Sequence, residues 1–313
     1  MLADVRAGLL NVEDGAQREL PPKYFYDHRG SLLFEQITRL PEYYLTRVER
    51  ALLTARAPDL MAALRPGALV ELGAGSAEKT RIILDAMRHV RLDAVYVPVD
   101  VSAAFLDETA RRLRMEYVGL RVIPVVADIS DHLGLPRATA RMLPSPVLYA
   151  FLGSTIGNFH DDAAARLLGD VRSGMTGEDR LLLGADLVKD VAIIEAAYND
   201  SEGVTAQFNR NMLRVLNHEL GANFDVDGFA HQAFFDRKAG RIEMHLIAIR
   251  PQVVGIPGAG SLVLRAGESI RTEISNKYDR PRISKILADA GFQIAAWETD
   301  DAHQYALVVA APA

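Results

Sequence analysis

The chain has 313 residues, of which 49% are apolar, enough to bury one large core and a second, smaller one. With 35 basic against 41 acidic residues the formal charge is −6 and no run of like charges occurs, which disfavours a nucleic-acid or anionic-membrane surface. Cysteine is absent, so disulfides, thiolate metal sites, iron–sulfur clusters and a cysteine nucleophile are excluded, and a reducing cytoplasm is the expected compartment.

Charges interrupt the N-terminal segment MLADVRAGLLNVEDGAQREL every few residues, so no export signal is expected. No window approaches the ~18 consecutive apolar residues of a membrane helix. Residues 45–89 read as helical, interrupted at Pro58 and at the turn Arg65-Pro66-Gly67, and crossed by an apolar run at 68–72. Thr46 followed by Glu49 predicts a capping box. The run is followed by Gly73-Ala74-Gly75-Ser76 and by a helix with Thr80, Ile83, Leu84 and Met87 at helical spacing. The alternation then recurs: strand 94–99 ending in Asp100, helix 103–115, strand 121–126 ending near Asp128, strand 146–152, helix 161–175, and strand 181–185 ending in Asp186. Buried-type strands separated by helices predict a parallel sheet covered on both faces. Ligands then collect at the carboxyl ends of its strands, where Gly73, Asp100, Asp128, Gly153 and Asp186 fall.

The insertion at 189–278 begins helically and changes to period-two runs, RIEMHLIAI and IRTEIS, with glycine turns at 238–240 and 256–260. A helix at 284–290 and two strands, 292–298 and 305–310, complete the chain; the short turn between those strands forces an antiparallel hairpin. A mostly parallel sheet closed by an antiparallel last strand is the Rossmann-like α/β arrangement of class I S-adenosylmethionine-dependent methyltransferases. The predicted domains are therefore a methyltransferase domain at 48–188 and 279–313, and a smaller α+β substrate domain at 1–47 and 189–278.

The segment VELGAGSAEKT narrows the cofactor. A dinucleotide fingerprint needs a third glycine and a P-loop, G-x-x-x-x-G-K-[ST], is missed by one residue, and Glu78 breaks both by putting a carboxylate where phosphate would lie. A cofactor with an amino-acid tail and no phosphate remains, and E-x-G-x-G is the usual first motif for S-adenosylmethionine. Asp100 can accept hydrogen bonds from ribose hydroxyls, or cap a helix; Asp128 stands where an adenine amino group would be met, or is a turn residue.

Taken with LPPKYFYDHRGSLLFEQITRLPEYYLTRVE, FLGSTIGN, LLLGADLVKD, GVTAQFNRN, RIEM and TEIS, the chain resembles the L-histidine Nα-methyltransferases of ergothioneine biosynthesis, the EgtD type, from about residue 20 to 310. The resemblance implies threefold methylation of the histidine α-amine to hercynine, with substrate held between two domains. It implies cofactor roles for Tyr26, Gly73, Lys79, Asp100, Asp128, Ile129 and Gly153. Tyr43, Asn158 and Tyr198 match positions that hold the amino-acid portion of the substrate, Asn158 and Tyr198 at its carboxylate, with Tyr43 the candidate for orienting the amine. Met244, Glu273 and Ser275 match the imidazole pocket. Glu273 and Ser275, two apart on a strand, share a face, where a carboxylate and a hydroxyl can bond to ring nitrogens.

Ile129, Tyr24 and His245 depart from the family pattern, which has an aromatic residue at the first position and tryptophan at the others. His245 alternates away from Met244 and is not read as a base. Each site residue also has an ordinary structural reading: sheet surface for Glu273 and Ser275, hinge packing for Tyr43, an amphipathic helix position for Tyr198, a turn for Asn158, core for Met244. The histidines show no H-x-H or H-x-x-x-H metal spacing, and no metal is expected. A monomeric enzyme acting on a small molecule is expected, with neither nucleic-acid nor membrane partner. Two alternatives stay open: the same fold acting on another amino acid or small amine, and a non-catalytic nucleotide-binding module.

Overall fold

The computed structural model describes residues 1–13, 15–129 and 142–313. Two compact units emerge, Met1–Tyr44 with Lys189–Asn276, and Leu45–Val188 with Lys277–Ala313. These boundaries fall three and two residues ahead of the expected 48 and 279. The first shift follows from a single unbroken helix that spans Tyr44–Leu64. The second follows from Lys277 and Tyr278, which are tied to Asp186 and Leu187 by an ion pair and a β-bridge.

In the first unit a short helical stretch over residues 2–10 is followed by β1 (Arg18–Glu19) and α1 (His28–Ile37), the latter capped by Asp27, whose carboxylate accepts the Gly30 N–H at 2.7 Å. The second unit then runs α2 (Tyr44–Leu64), β2 (Ala68–Leu72), α3 (Thr80–Val90), β3 (Val95–Asp100), α4 (Ala103–Glu116), β4 (Arg121–Val122), β5 (Val125–Val126), β6 (Val147–Phe151), α5 (Asp161–Ser173) and β7 (Arg180–Asp186). Pro58 does not interrupt α2. It sits on the exposed side, where the carbonyl it leaves unbonded reaches water, while Leu53, Ala57 and Met61 are buried on the other side. The strand expected at 121–126 is two short pieces, because Pro124 has no N–H to contribute to the ladder.

The insertion supplies α6 (Val191–Tyr198), α7 (Val204–Leu220), β8 (Phe229–Asp236), β9 (Arg241–Ala248), the hairpin β10 (Gln252–Ile256) and β11 (Gly260–Leu264), and β12 (Ser269–Asn276). Its sheet has the order β1-β12-β9-β8. β1 joins it in parallel to β12, so the N-terminal segment is part of this unit's sheet. The chain returns to the second unit with α8 (Arg280–Asp289), β13 (Phe292–Thr299) and β14 (Tyr305–Pro312).

The large sheet has the order β13-β14-β7-β6-β2-β3-β4, with β5 also on β3. Strands β7 through β4 are parallel; β14 is antiparallel to β7 and to β13. Alternate residues feed two cores, Val70, Val97 and Tyr149 on one face and Leu69, Tyr96 and Leu148 on the other. Burial on both faces is why these strands read as unbroken apolar runs. Among the described residues no helix is long and apolar enough to cross a membrane.

Candidate active site

After β2 the chain turns through Gly73 and Gly75 at φ +69° and +51°, left-handed angles that cost a residue with a β-carbon about 1 kcal/mol. A β-carbon on Gly75 would meet nothing within 4 Å, and one on Gly73 only Thr155 Cγ2 at 3.9 Å, so the turn borders open space. The Gly73 and Ala74 N–H groups donate to the Val99 carbonyl at 2.8 and 3.2 Å, and the Gly75 N–H donates to Asp100 Oδ2 at 3.0 Å. The other Asp100 oxygen accepts the Ser102 N–H at 3.1 Å. The glycine turn and the acid at the end of the next strand are thus one hydrogen-bonded piece.

Lys79 and Gly153 meet on a residue that the sequence reading assigned elsewhere. Glu49 caps nothing: it lies inside α2, fully buried. Its carboxylate pairs with Lys79 Nζ, accepts the Gly153 N–H at 2.8 and 3.0 Å and accepts the Tyr305 hydroxyl at 2.7 Å. A β-carbon on Gly184 of β7 would fall 2.3 Å from Glu49 Oε1 and 2.6 Å from the Tyr305 hydroxyl, so the glycine vacates the volume this cluster fills. The capping-box expectation is therefore wrong. The signal that could have corrected it is Glu49's place on the apolar stripe Leu45-Leu52-Leu53, which requires its carboxylate to find buried partners.

Under the turn, Glu71 of β2 accepts from Thr80 Oγ1 at 2.6 Å and from the Tyr96 hydroxyl at 2.5 Å. Burial pushes its carboxyl up to about 7, against the pull of those two donors. Farther along the strand ends, Asp128 and Ile129 follow β5, half-buried. Ile129 packs on the sheet core and, with Phe159, Arg166, Leu167 and Asp170, lines a groove of about 450 Å³. Asn158 ends a single turn, Thr155–Asn158, entered through Ser154 at φ +56°. That turn is held by Ser154 Oγ, which accepts the Asp186 N–H at 3.0 Å, and by the Tyr278 hydroxyl, which donates to the Ile156 carbonyl at 3.1 Å. Asp186 itself is not available to a ligand in the way a strand-end acid suggests, being fully buried against Lys277 Nζ at 2.8 Å.

In the other unit, edge-to-face ring contacts run from Tyr26 to Phe34 (5.7 Å between centroids), from Phe34 to Tyr43 (6.3 Å) and from Tyr43 to Tyr198 (6.3 Å). The Tyr198 hydroxyl donates to Ser275 Oγ at 2.8 Å. Tyr26, expected with the cofactor residues, belongs to this aromatic row. In the ladder, Glu273 is opposite Met244 and Ser275 opposite Ile242, so Met244, Glu273 and Ser275 share one face. His245 is on the other face, stacked on Phe234 and 3.0 Å from Glu243 Oε2, and burial lowers its pKa. The sequence reading missed Phe34 and Phe208, whose rings pack against Tyr26.

Across residues 1–312 the chain matches the family described as histidine-specific, S-adenosylmethionine-dependent methyltransferases. The chain belongs to that family. It is 46% identical to the histidine N-alpha-methyltransferase of Mycobacterium tuberculosis over 311 residues, 98% of this chain and 94% of that one. It is 30% identical to ergothioneine biosynthesis protein 1 of Neurospora crassa over 294 residues, 92% of this chain and 33% of that one. Among solved structures, an S-adenosylmethionine-dependent methyltransferase from Clostridium acetobutylicum superimposes with a TM-score of 0.50 at 13% identity, covering 86% of this chain and 95% of that one, a likeness of fold alone. For a histidine-specific methyltransferase the cofactor half is chemically apt. The open-sided turn at Gly73 and Gly75 admits close approach of a ligand, the Asp100 carboxylate stands beside it, and Glu78 is ion-paired with Arg50 at 3.0 Å.

Proposed function

We propose that this protein transfers methyl groups from S-adenosylmethionine to the α-amino nitrogen of L-histidine, three in succession, giving hercynine as the first step of ergothioneine biosynthesis. What carries the reading is that the family match runs through residues 1–312, the insertion and the N-terminal segment included. A match to the α/β sheet alone would support only the cofactor.

In this reading Gly73, Lys79, Asp100, Asp128, Ile129 and Gly153, with Tyr26, hold S-adenosylmethionine, which supplies a methyl carbon made electrophilic by its sulfonium. Asn158 and Tyr198 bind the substrate carboxylate, and Met244, Glu273 and Ser275 enclose the imidazole. The Glu273 carboxylate accepts a ring N–H and Ser275 Oγ meets the other ring nitrogen, while the single Tyr198 hydroxyl proton, given to Ser275 at 2.8 Å in this structure, turns to the substrate carboxylate when histidine binds. Each transfer requires a neutral amine, so a proton leaves nitrogen before each attack, and Tyr43 orients the lone pair toward the methyl carbon. Fixing that approach at ~3–3.5 Å is worth several kcal/mol without a covalent intermediate. The enzyme works as a cytoplasmic monomer.

Mass spectrometry of protein incubated with S-adenosylmethionine and each amino acid in turn tests the reading, with trimethylated histidine as the expected sole product. Methylation of a different amine overturns the pocket, and no product at all favours a binding module. Glu273→Ala is expected to weaken histidine binding by about 1.5–3 kcal/mol, the scale of a lost charge-assisted bond, measured calorimetrically. Tyr43→Phe is expected to slow all three transfers; unchanged turnover removes Tyr43 from the mechanism.

A further inference from the structure

Within the motif GVTAQFNRN only Phe208, whose ring packs against Tyr26, has a part in the site as described. Asn209, its seventh residue, is fully buried on α7. Its amide nitrogen donates to the His245 carbonyl at 3.0 Å and lies 2.8 Å from His231 Nδ1; its amide oxygen is 2.7 Å from Thr272 Oγ1. The carbonyl of His245 can only accept, which fixes which end of the amide is nitrogen. The remaining N–H then needs a lone pair on His231 Nδ1, so the proton of that ring is on Nε2. Nε2 lies 2.9 Å from the Tyr198 carbonyl, another group that can only accept. One tautomer of His231 satisfies every partner, and burial holds the ring below its ordinary pKa, in the neutral form this arrangement requires.

Thr272 is where β12 carries an extra residue. Arg271 is opposite His245 and Glu273 is opposite Met244, which are neighbours on β9. In a regular strand Arg271 and Glu273 would share a face; with Thr272 interposed, Arg271 stays on the side of His245 and Glu273 turns to the side of Met244. The Thr272 hydroxyl, fully buried, is 3.1 Å from the Met244 carbonyl as well as bonded to Asn209.

We propose that Asn209 is a positioning residue for the histidine pocket, holding through Thr272 the bulge that aims Glu273 and through His231 the end of the helix that carries Tyr198. The inference rests on the assignment of Glu273 and Tyr198 to substrate. It makes substrate recognition, rather than cofactor binding, the property that depends on this network.

The test compares the wild-type protein with Thr272→Val, Thr272→Ser and Glu273→Gln. The measurements are KM for histidine, kcat, melting temperature and the Kd of S-adenosylhomocysteine. Thr272→Val is expected to raise the histidine KM about ten-fold, the effect of one lost buried hydrogen bond, with kcat and the S-adenosylhomocysteine Kd within about two-fold of wild type. Thr272→Ser, which keeps the hydroxyl, is expected to restore KM. A Thr272→Val enzyme with wild-type KM overturns the proposal, as does an equal loss in KM, kcat and S-adenosylhomocysteine affinity that serine fails to rescue. Glu273→Gln separates the two levels. If it raises KM and Thr272→Val does not, only the positioning role falls; if Glu273→Gln is itself silent, the pocket assignment falls and takes the proposal with it. Nitrogen-15 NMR of the wild-type imidazoles needs no variant to fold: His231 is expected as the neutral Nε2–H tautomer, and a proton on Nδ1 overturns the network.

Discussion

In the sheet unit, Gly73, Asp100 and Gly153 lie just past or at the ends of β2, β3 and β6, three neighbouring parallel strands, so topology alone delivers them to one edge. In the other unit, Glu273 reaches the face of Met244 only because β12 carries one residue more than its partner. The first arrangement tolerates an error of a residue in where a strand stops. The second does not, since a shift of one exchanges the faces of an antiparallel strand. The buried glutamates differ in the same sense. Glu71, beneath the glycine turn, is bonded to neutral hydroxyls and has its pKa raised by burial, whereas Glu243, in the insertion, is also penalised by burial but is held below its ordinary value by Arg241, His245 and Arg271.

The largest effect expected in the sheet unit comes from the strand-end acid that is sealed rather than open. Lys277→Met removes the cation paired with Asp186 in a fully buried site, and should cost about 3–5 kcal/mol in urea unfolding. Replacing Asp186 with leucine as well should return much of that loss. If the single variant is as stable as wild type, Asp186 is not an ion-paired structural residue, and it rejoins the acids to which a ligand has access.

Next in size is a pH effect whose sign separates the two glutamates. The Glu71 pKa is raised from 4.5 to about 7 in the folded protein, so the folded form binds the proton more tightly than the unfolded one. Its contribution is complete below about pH 4.5 and is lost as pH rises through about 7, on the order of 3 kcal/mol in all. Glu71→Gln should flatten that part of the stability profile when denaturant midpoints are compared across the window. Glu243 works the other way: with its pKa lowered, its contribution is present above the unfolded value and lost as pH falls. Equal slopes for wild type and Glu71→Gln would remove the contrast.

Gly184→Ala tests whether the Glu49 cluster is as tightly filled as the strand-end arrangement implies. The added methyl group meets Glu49 Oε1 and the Tyr305 hydroxyl at less than contact distance, and overpacking of this kind costs about 1–3 kcal/mol. Because Glu49 also holds Lys79 and the Gly153 amide, the variant should lose affinity for S-adenosylhomocysteine in calorimetry while histidine binding changes less. A variant that binds S-adenosylhomocysteine like wild type would uncouple Glu49 from the cofactor residues.

What was legible in the sequence follows the same division. The strands β2, β3, β6 and β7 and the hairpin of β13 and β14 were readable because runs buried on both faces and a short closing turn leave little choice of arrangement. The glycine turn and Asp100 were readable because parallel topology fixes where strand ends lie. Glu49 was misread because T-x-x-E is satisfied equally by a helix start and by a chance spacing inside a helix, and only the burial of its stripe distinguishes them. Pro58 was misread because a proline on the solvent side of a long helix costs less than the packing on the opposite side returns. The bulge at Thr272 has no sequence signal: IRTEIS alternates smoothly, and the extra residue exists only relative to β9. The shared face of Glu273 and Ser275 was correctly anticipated, since both follow the bulge, but the opposite direction of Arg271 was beyond reach.

The smallest expected effect bears on whether the pocket side of the insertion is prearranged. Tyr198→Phe removes the hydroxyl that donates to Ser275 Oγ at 2.8 Å in a buried setting. The stability lost should be about 1 kcal/mol, the scale of one hydrogen bond, read as a shift in denaturant midpoint. The ring remains to pack on Tyr43 at 6.3 Å, so the aromatic row survives, while the hydrogen bond to Ser275 and the contact proposed with the substrate carboxylate are both lost. Histidine affinity should then fall by more than stability does, because the carboxylate contact proposed for Tyr198 goes with its hydroxyl. If stability falls and histidine affinity does not, the hydrogen bond serves the fold of the insertion, and recognition rests on the bulge and Glu273 alone.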